Sequence, residues 1–210
     1  MRRIWLVVGF LSLIGVAVIA RRLVALAHPA AGELDAGFER HALLTVLHIV
    51  PALVFLVLGP VQFLRLRAHR WTGRVFFGAA LMVGITALVM SPRMAIGGAK
   101  ETAATTFFGI VFLFDLIKGF VHIRRREVAL HREWMIRAYA IGLAVTTIRP
   151  IVGVFFATRG VTHLTPREFF GIAFWIGFTL HLIAAEAWIG HTRLKRHAAV
   201  DQQLGANCEA

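Results

Sequence analysis

Six apolar segments, each about as long as a lipid bilayer is thick, dominate this chain of 210 residues. A helix needs about 20 apolar residues to cross a hydrocarbon core of about 30 Å. None of the segments alternates polar and apolar residues over about ten positions, as the strands of a membrane β-barrel do. The sequence therefore predicts an all-α, polytopic bundle of six transmembrane helices. The segments are Ile4–Ala27, His41–Leu66, Val75–Met90, Thr102–Ile123, Ala138–Ala157 and Glu168–Gly190.

The same pattern predicts one membrane domain over residues 1–190 and a polar cytoplasmic tail over residues 191–210. The first segment has a second interpretation, because a basic start, an apolar run and Ala25-Leu26-Ala27 also resemble a cleavable secretory signal. Arg21 and Arg22 interrupt the stretch before that site, so an uncleaved helix is favoured. Cleavage would leave five helices.

The charge balance points to a membrane partner. The formal net charge is +12, a value that in a soluble domain would suggest nucleic acid. Here 58% of the residues are hydrophobic, only 16% are charged, and the basic residues lie in short connections between apolar segments. Basic residues in such places meet anionic lipid headgroups, so we expect the bilayer as partner and no nucleic acid. The single cysteine, Cys208, excludes an intrachain disulfide or a cysteine-ligated zinc or iron–sulfur site.

The distribution of Lys and Arg predicts the orientation. Fourteen of these residues fall in connections on one side of the bilayer and five in connections on the other. Because basic residues are retained in cytoplasmic loops, the richer side is expected to be cytoplasmic. The protein is then expected in a bacterial cytoplasmic (inner) membrane, with both termini on the cytoplasmic side.

Ionisable residues inside the apolar segments are the candidate functional residues, because placing them in lipid is costly. Counted from the expected helix ends at about 1.5 Å per residue, Asp115, Arg149 and His181 lie at one depth. We therefore expect an Asp115–Arg149 ion pair, with Pro150 breaking the helix beside it. The same pair could also serve only to hold two helices together. The predicted polar core consists of Asp115, Arg149, His181, Glu186 and His48.

Two basic motifs precede the third and fifth apolar segments. One reads His69-Arg70-Trp71-Thr72-Gly73-Arg74, and the other His131-Arg132-Glu133-Trp134-Met135-Ile136-Arg137. Their likeness suggests parallel repeats of two helices each. Cations beside tryptophan anchor a protein at headgroup level, and arginine forks also bind other anions. The residues expected to contact headgroups or an anionic ligand are His69, Arg70, Arg74, His131, Arg132 and Arg137.

The ten histidines raise the question of haem. Two axial histidines must share one depth, yet His181 is expected about 18 Å and His48 about 9 Å from the outer surface. We therefore predict no cofactor and keep a b-type haem electron carrier as the alternative. The histidines available to it are His48, His69, His122, His131 and His181.

The motifs of several soluble enzyme classes are absent from the sequence. It has no Walker motif, dinucleotide fingerprint, nucleophile elbow or H-E-x-x-H. The favoured hypothesis is a non-catalytic membrane protein that either moves a small solute or protons or serves as a subunit of a larger membrane complex. A homo-oligomer is also compatible with the sequence.

The stretches that stand out also occur together in one family. They are His48, Gly59-Pro60-Val61-Gln62-Phe63, the two basic motifs, Arg149 and Glu186. In these stretches the chain resembles a family of predicted bacterial membrane proteins known only as a domain of unknown function. The resemblance implies a multi-span fold and supplies neither an activity nor a substrate.

Overall fold

The computed structural model describes residues 2–27, 36–64 and 67–208, with the side chains of residues 6–27, 37–64 and 67–195. Within these residues the chain forms eight α-helices and no strand. Six helices have the length and apolar composition needed to cross a membrane, which confirms the predicted all-α bundle. The helices are α1 (Arg2–Ala27), α2 (Ala36–Arg40), α3 (Ala42–Phe63), α4 (His69–Met94), α5 (Gly98–Arg124), α6 (Val128–Ala157), α7 (Arg159–Thr162) and α8 (Pro166–Cys208).

Several helices are longer than the apolar segments that predicted them. Helix α4 begins at His69 and α6 at Val128, so both basic motifs lie within helices instead of loops. Helix α8 continues through the polar tail to Cys208. Hydropathy detects only the part of a helix inside the hydrocarbon, whereas Arg, His and Trp side chains let a helix extend to headgroup level. The predicted cleavage site adjoins residues 28–35, which lie outside the described part of the chain.

The bundle has two chemically different ends. We call the end of the bundle where α3 and α5 end and α4 and α6 begin the basic end. The end with residues 95–97 and 158–165 is the opposite end. Helix α1 starts at the basic end, because Val7 lines a cleft together with Arg132. Helix α8 also reaches the basic end, where Arg193 forms an ion pair with Glu133.

Helix α6 is central, since it packs against α1, α5 and α8, while α4 packs against α3 and α5. The outer surface of the bundle is apolar, as shown by exposed Leu6, Phe10, Ile85, Ile110 and Ile183. Apolar side chains that face outward from long helices are expected to face lipid. The interior is then the place where costly polar groups are kept.

Two glycines leave room for aromatic rings from neighbouring helices. A Cβ added at Gly59 of α3 would overlap the ring of Tyr139 on α6. The same is true of Gly142, where a Cβ would lie 2.5 Å from a ring carbon of Phe55. The absence of a side chain at each glycine thus provides the space that the ring of the other helix occupies. Helix α3 runs through Pro60 without a break and ends at Phe63.

Candidate functional site

A cavity of about 230 Å³ lies inside the bundle, between mid-depth and the opposite end. Its walls come from α1 to α6 and from α8. Phe55, Phe112 and Gly142, which are near the midpoints of α3, α5 and α6, line its deep end. Met94 and Glu101 line it near the opposite end, at the end of α4 and the start of α5. The polar side chains along its walls are Arg22, His48, Ser91, Glu101, Thr105, Thr146 and Arg149.

His48 is held against α4. Its Nδ1 lies 2.9 Å from the hydroxyl oxygen of Thr86, and that hydroxyl lies 2.6 Å from the carbonyl oxygen of Met82. A threonine hydroxyl has one proton, which Thr86 donates to the backbone of its own helix. The Nδ1–H of His48 therefore donates to Thr86. This tautomer makes Nε2 of His48 the acceptor nitrogen on a cavity-lining residue.

Arg149 and Glu101 line the same cavity from α6 and α5 and interact electrostatically. Glu101 is only 9% exposed, and its Oε2 accepts a hydrogen bond of 2.5 Å from the backbone N–H of Gly97. This bond ties the carboxylate to the α4–α5 connection. The site thus contains two cations, Arg22 and Arg149, together with an anion and a histidine within one cavity.

The predicted ion pair between Asp115 and Arg149 is wrong, although both residues lie inside the bundle. Helix α6 begins at Val128, ten residues earlier than the apolar segment suggested, so Arg149 is about 31 Å from the basic end. Asp115 precedes the end of α5 by nine residues and is only about 13 Å from the basic end. The predicted break at Pro150 is also absent, because α6 continues to Ala157.

Asp115 instead belongs to a charged network toward the basic end. Arg137 of α6 forms a two-pronged ion pair with Glu186 of α8, with N–O distances of 2.5 and 3.0 Å. One turn earlier on α6, Glu133 pairs with Arg193 of α8. Asp115 is 3% exposed and lies within electrostatic range of Arg137 and Glu186. These five residues, which we call the charged network, connect α5, α6 and α8.

Four aromatic rings lie between the cavity and the basic end. Phe55 stacks on Phe76 at 4.9 Å between ring centroids and contacts Tyr139 at 5.3 Å and Phe112 at 5.8 Å. All four side chains are almost fully buried. The Tyr139 hydroxyl lies 3.1 Å from that of Ser12 on α1. We call these four rings the aromatic layer, and two of them, Phe55 and Phe112, close the cavity on the side of the basic end.

Comparison of the sequence with known protein families identifies the family of this chain. Residues 45–189, more than two thirds of the chain, match the family described as Predicted membrane protein (DUF2306). The chain belongs to this family. No curated protein matches the chain. No solved structure matches it either.

The stretch matched to DUF2306 contains most of the residues described above. It includes His48, Glu101 and Arg149 of the cavity and all of the aromatic layer. It also includes four residues of the charged network, whereas Arg193 and the whole of α1 lie outside it. The membrane character predicted from the sequence agrees with the family, whose description names no activity.

Three other histidines considered for haem in this DUF2306 member, His122, His131 and His181, make separate contacts. Nε2 of His181 lies 2.7 Å from the Thr147 hydroxyl, and Nδ1 of His131 donates to the Gly119 carbonyl at 2.8 Å. Nδ1 of His122 pairs with Glu127. Among the described residues no three His, Cys, Asp or Glu side chains are grouped as metal ligands. These contacts therefore add no observation in favour of the haem alternative.

The two basic motifs both lie at the basic end, as parallel repeats would require. His69 is the first residue of α4 and His131 the fourth of α6. Arg74 lies over the Trp71 ring at 4.9 Å, and Arg137 lies over the Trp134 ring at 4.7 Å. Headgroup contact by His69, Arg70, Arg74, His131 and Arg132 stays a prediction, while Arg137 points into the charged network.

The sequence reading missed Glu101, Glu133 and Arg193. Glu133 and Arg137 are four residues apart on α6, and their partners Arg193 and Glu186 are seven apart on α8. Both spacings bring side chains to one face of a helix. Extending the two helices past their apolar segments would have revealed this complementary pattern.

Proposed function

We propose that this protein is a transporter-like membrane protein that binds a small polar organic solute in the cavity and takes part in moving it. The observation that supports this function is the convergence of Arg149, Glu101 and His48 on one cavity within the membrane-spanning helices. Each such residue is costly to place in a bilayer, and three of them around one space are typical of a ligand site.

The chemistry of the walls indicates the class of solute. The guanidinium of Arg149 suits a carboxylate, the Glu101 carboxylate accepts from an amine or hydroxyl, and Nε2 of His48 accepts a further proton donor. Phe174 and Phe178 also line the cavity and offer apolar surface for a carbon skeleton. A small organic acid that also carries an amine or hydroxyl group fits this combination.

Movement of the solute requires a change in the aromatic layer. Phe55 and Phe112 line the deep end of the cavity, and with Phe76 and Tyr139 they block a path toward the basic end. Ring rotations would open this barrier. The cavity would then exchange solute with the opposite end while the layer is closed.

For orientation we propose that the basic end faces the cytoplasm of a bacterial inner membrane. Arg124, Arg125 and Arg126 lie together in and beside the α5–α6 connection at this end. Basic connections are retained on the cytoplasmic side. Both α1 and α8 have their free ends there, so both termini would be cytoplasmic, and the cavity would open to the outside.

A cysteine at Thr105 should react with a charged, membrane-impermeant methanethiosulfonate at least about tenfold faster than one at Phe107, because the reactive thiolate forms only in water. Thr105 lines the cavity, whereas Phe107, half a turn away on α5, is 52% exposed on the outer surface. Cys208 is the only cysteine, so Cys208→Ser provides the background. Labelling rates in liposomes give the comparison, and equal rates at the two positions would refute a hydrated cavity.

The charge of Arg149 should set which reagent enters. At the Thr105→Cys position, Arg149→Gln should lower the ratio of anionic to cationic reagent rates on the order of tenfold, and Glu101→Gln should raise it. Arg93→Gln is the matched control, because Arg93 is exposed at the same end and does not line the cavity. If Arg149→Gln and Arg93→Gln change the ratio equally, Arg149 does not face the entering solute.

A further inference from the structure

A second space, distinct from the cavity, lies on the flank of the bundle toward the basic end. This cleft of about 190 Å³ is formed by α1, α6 and α8, together with Phe63 of α3. Val8, Leu11 and Ile136 are among the residues that make its walls almost entirely apolar. Arg132 is the one Lys or Arg among its lining residues.

The cleft is about one lipid leaflet deep. Arg132 is the fifth residue of α6, at the basic end, and Leu143, which also lines the cleft, is 11 residues farther along the helix. At about 1.5 Å per residue these two positions are about 16 Å apart along the membrane normal. The hydrocarbon core is about 30 Å thick, so one leaflet supplies acyl chains about 15 Å long.

Arg132 differs from its neighbours in its partners. Arg137 pairs with Glu186 and Arg193 with Glu133, both within the charged network. Among the described residues no carboxylate lies within ion-pair distance of Arg132. Its guanidinium therefore remains available to an anion at the mouth of the cleft. Trp188 lines the same cleft, and tryptophan is favoured at headgroup level.

The inner end of the cleft offers no comparable charge. His181 lines it, but its Nε2 lies 2.7 Å from the Thr147 hydroxyl of α6. The cleft therefore combines an apolar interior with one cationic mouth, and this polarity matches an amphiphile with an anionic head.

We propose that this cleft binds one acyl chain of an anionic phospholipid from the leaflet at the basic end, with Arg132 contacting the phosphate. The guanidinium fork forms charge-assisted hydrogen bonds with phosphate oxygens. The cleft shares Tyr139 with the aromatic layer but involves none of the residues proposed to bind solute, so lipid binding in the cleft is tested separately from solute binding in the cavity.

Native mass spectrometry of the purified chain, titrated with phosphatidylglycerol or phosphatidylcholine of matched chains, tests this site. We expect one phosphatidylglycerol to bind more tightly than phosphatidylcholine. The Arg132→Gln substitution should weaken the affinity for phosphatidylglycerol by about tenfold. Arg124→Gln is the control, because Arg124 is exposed at the same end but does not line the cleft. Equal affinity for the two lipids, or equal losses in the two variants, would overturn the proposal.

A cleft-filling variant tests the contribution of the lipid acyl chain separately from that of the headgroup. Ala184 of α8 lines the cleft and has room to grow outward, so Ala184→Phe should occupy the space for the acyl chain and abolish tight binding. Thermal unfolding in detergent without added lipid shows whether the variant is folded. If the folded variant still binds phosphatidylglycerol at the native affinity, the acyl chain does not occupy the cleft. A variant that fails to fold leaves the comparison of Arg132→Gln with Arg124→Gln as the deciding result.

Discussion

Replacing Gly59 with alanine lowers the free energy of unfolding by about 3 kcal/mol, the upper part of the usual range for overpacking. The added Cβ would overlap the ring of Tyr139. That ring is fixed by contacts with Phe55 and Phe63 and by the hydroxyl contact with Ser12, so it cannot move without disturbing the aromatic layer. Titration with sodium dodecyl sulfate in mixed micelles, followed by circular dichroism, measures the change.

The matched control for this substitution is Gly78→Ala. Gly78 lies on α4, where nothing lies within 4 Å of an added Cβ. Alanine has the higher helix propensity, so this variant should be neutral or slightly stabilised. A smaller side chain at Tyr139, as in Tyr139→Leu, should recover part of the loss in the Gly59→Ala protein. If Gly59→Ala and Gly78→Ala behave alike, the packing of the Tyr139 ring against Gly59 is refuted.

Substitution of Arg137 by leucine is expected to cost about 2–3 kcal/mol, because it leaves Asp115 and Glu186 without the cation between them. The Arg137 side chain is 15% exposed and that of Glu186 is 49% exposed. Partial hydration of Glu186 places the loss below the value for a fully buried pair. The same titration in mixed micelles measures the free energy of unfolding.

A double-mutant cycle separates the pair from the individual residues. The loss in Arg137→Leu/Glu186→Leu should be smaller than the sum of the single losses. Each single variant leaves one member of the pair as a lone charge, whereas the double variant removes both. Asp115→Asn and Arg149→Gln form the control cycle and should add, since these two residues are about 18 Å apart along the bundle. Additive losses at Arg137 and Glu186 would contradict their pairing.

The number of membrane helices and the all-α fold were predictable because hydropathy acts locally. Each apolar segment contains enough residues to require burial in lipid, whatever its neighbours are. The ends were less predictable, because the starts of α4 and α6 are basic and amphipathic and carry no hydropathy signal. An error of ten residues at Val128 moved Arg149 by about 15 Å and produced the wrong partner for Asp115.

The candidate site was predictable in its residue types and not in its pairings. His48, Asp115, Arg149 and Glu186 stand out because ionisable groups are rare inside apolar segments. Which of them share a depth and a face depends on helix ends and on packing between distant segments. Nothing in the sequence around Tyr139 indicates that it belongs to the aromatic layer, because its role arises only where α3, α4 and α6 meet.

Sidedness of the two bundle ends tests the account most directly, because the cavity is proposed to open on the side away from the basic end. Single cysteines at Arg125 and Thr162, in the Cys208→Ser background, mark the basic and the opposite end. With an impermeant thiol reagent on intact spheroplasts, we predict labelling of Thr162→Cys alone, and labelling of Arg125→Cys only after permeabilisation. Labelling of Arg125→Cys in intact spheroplasts would contradict the account.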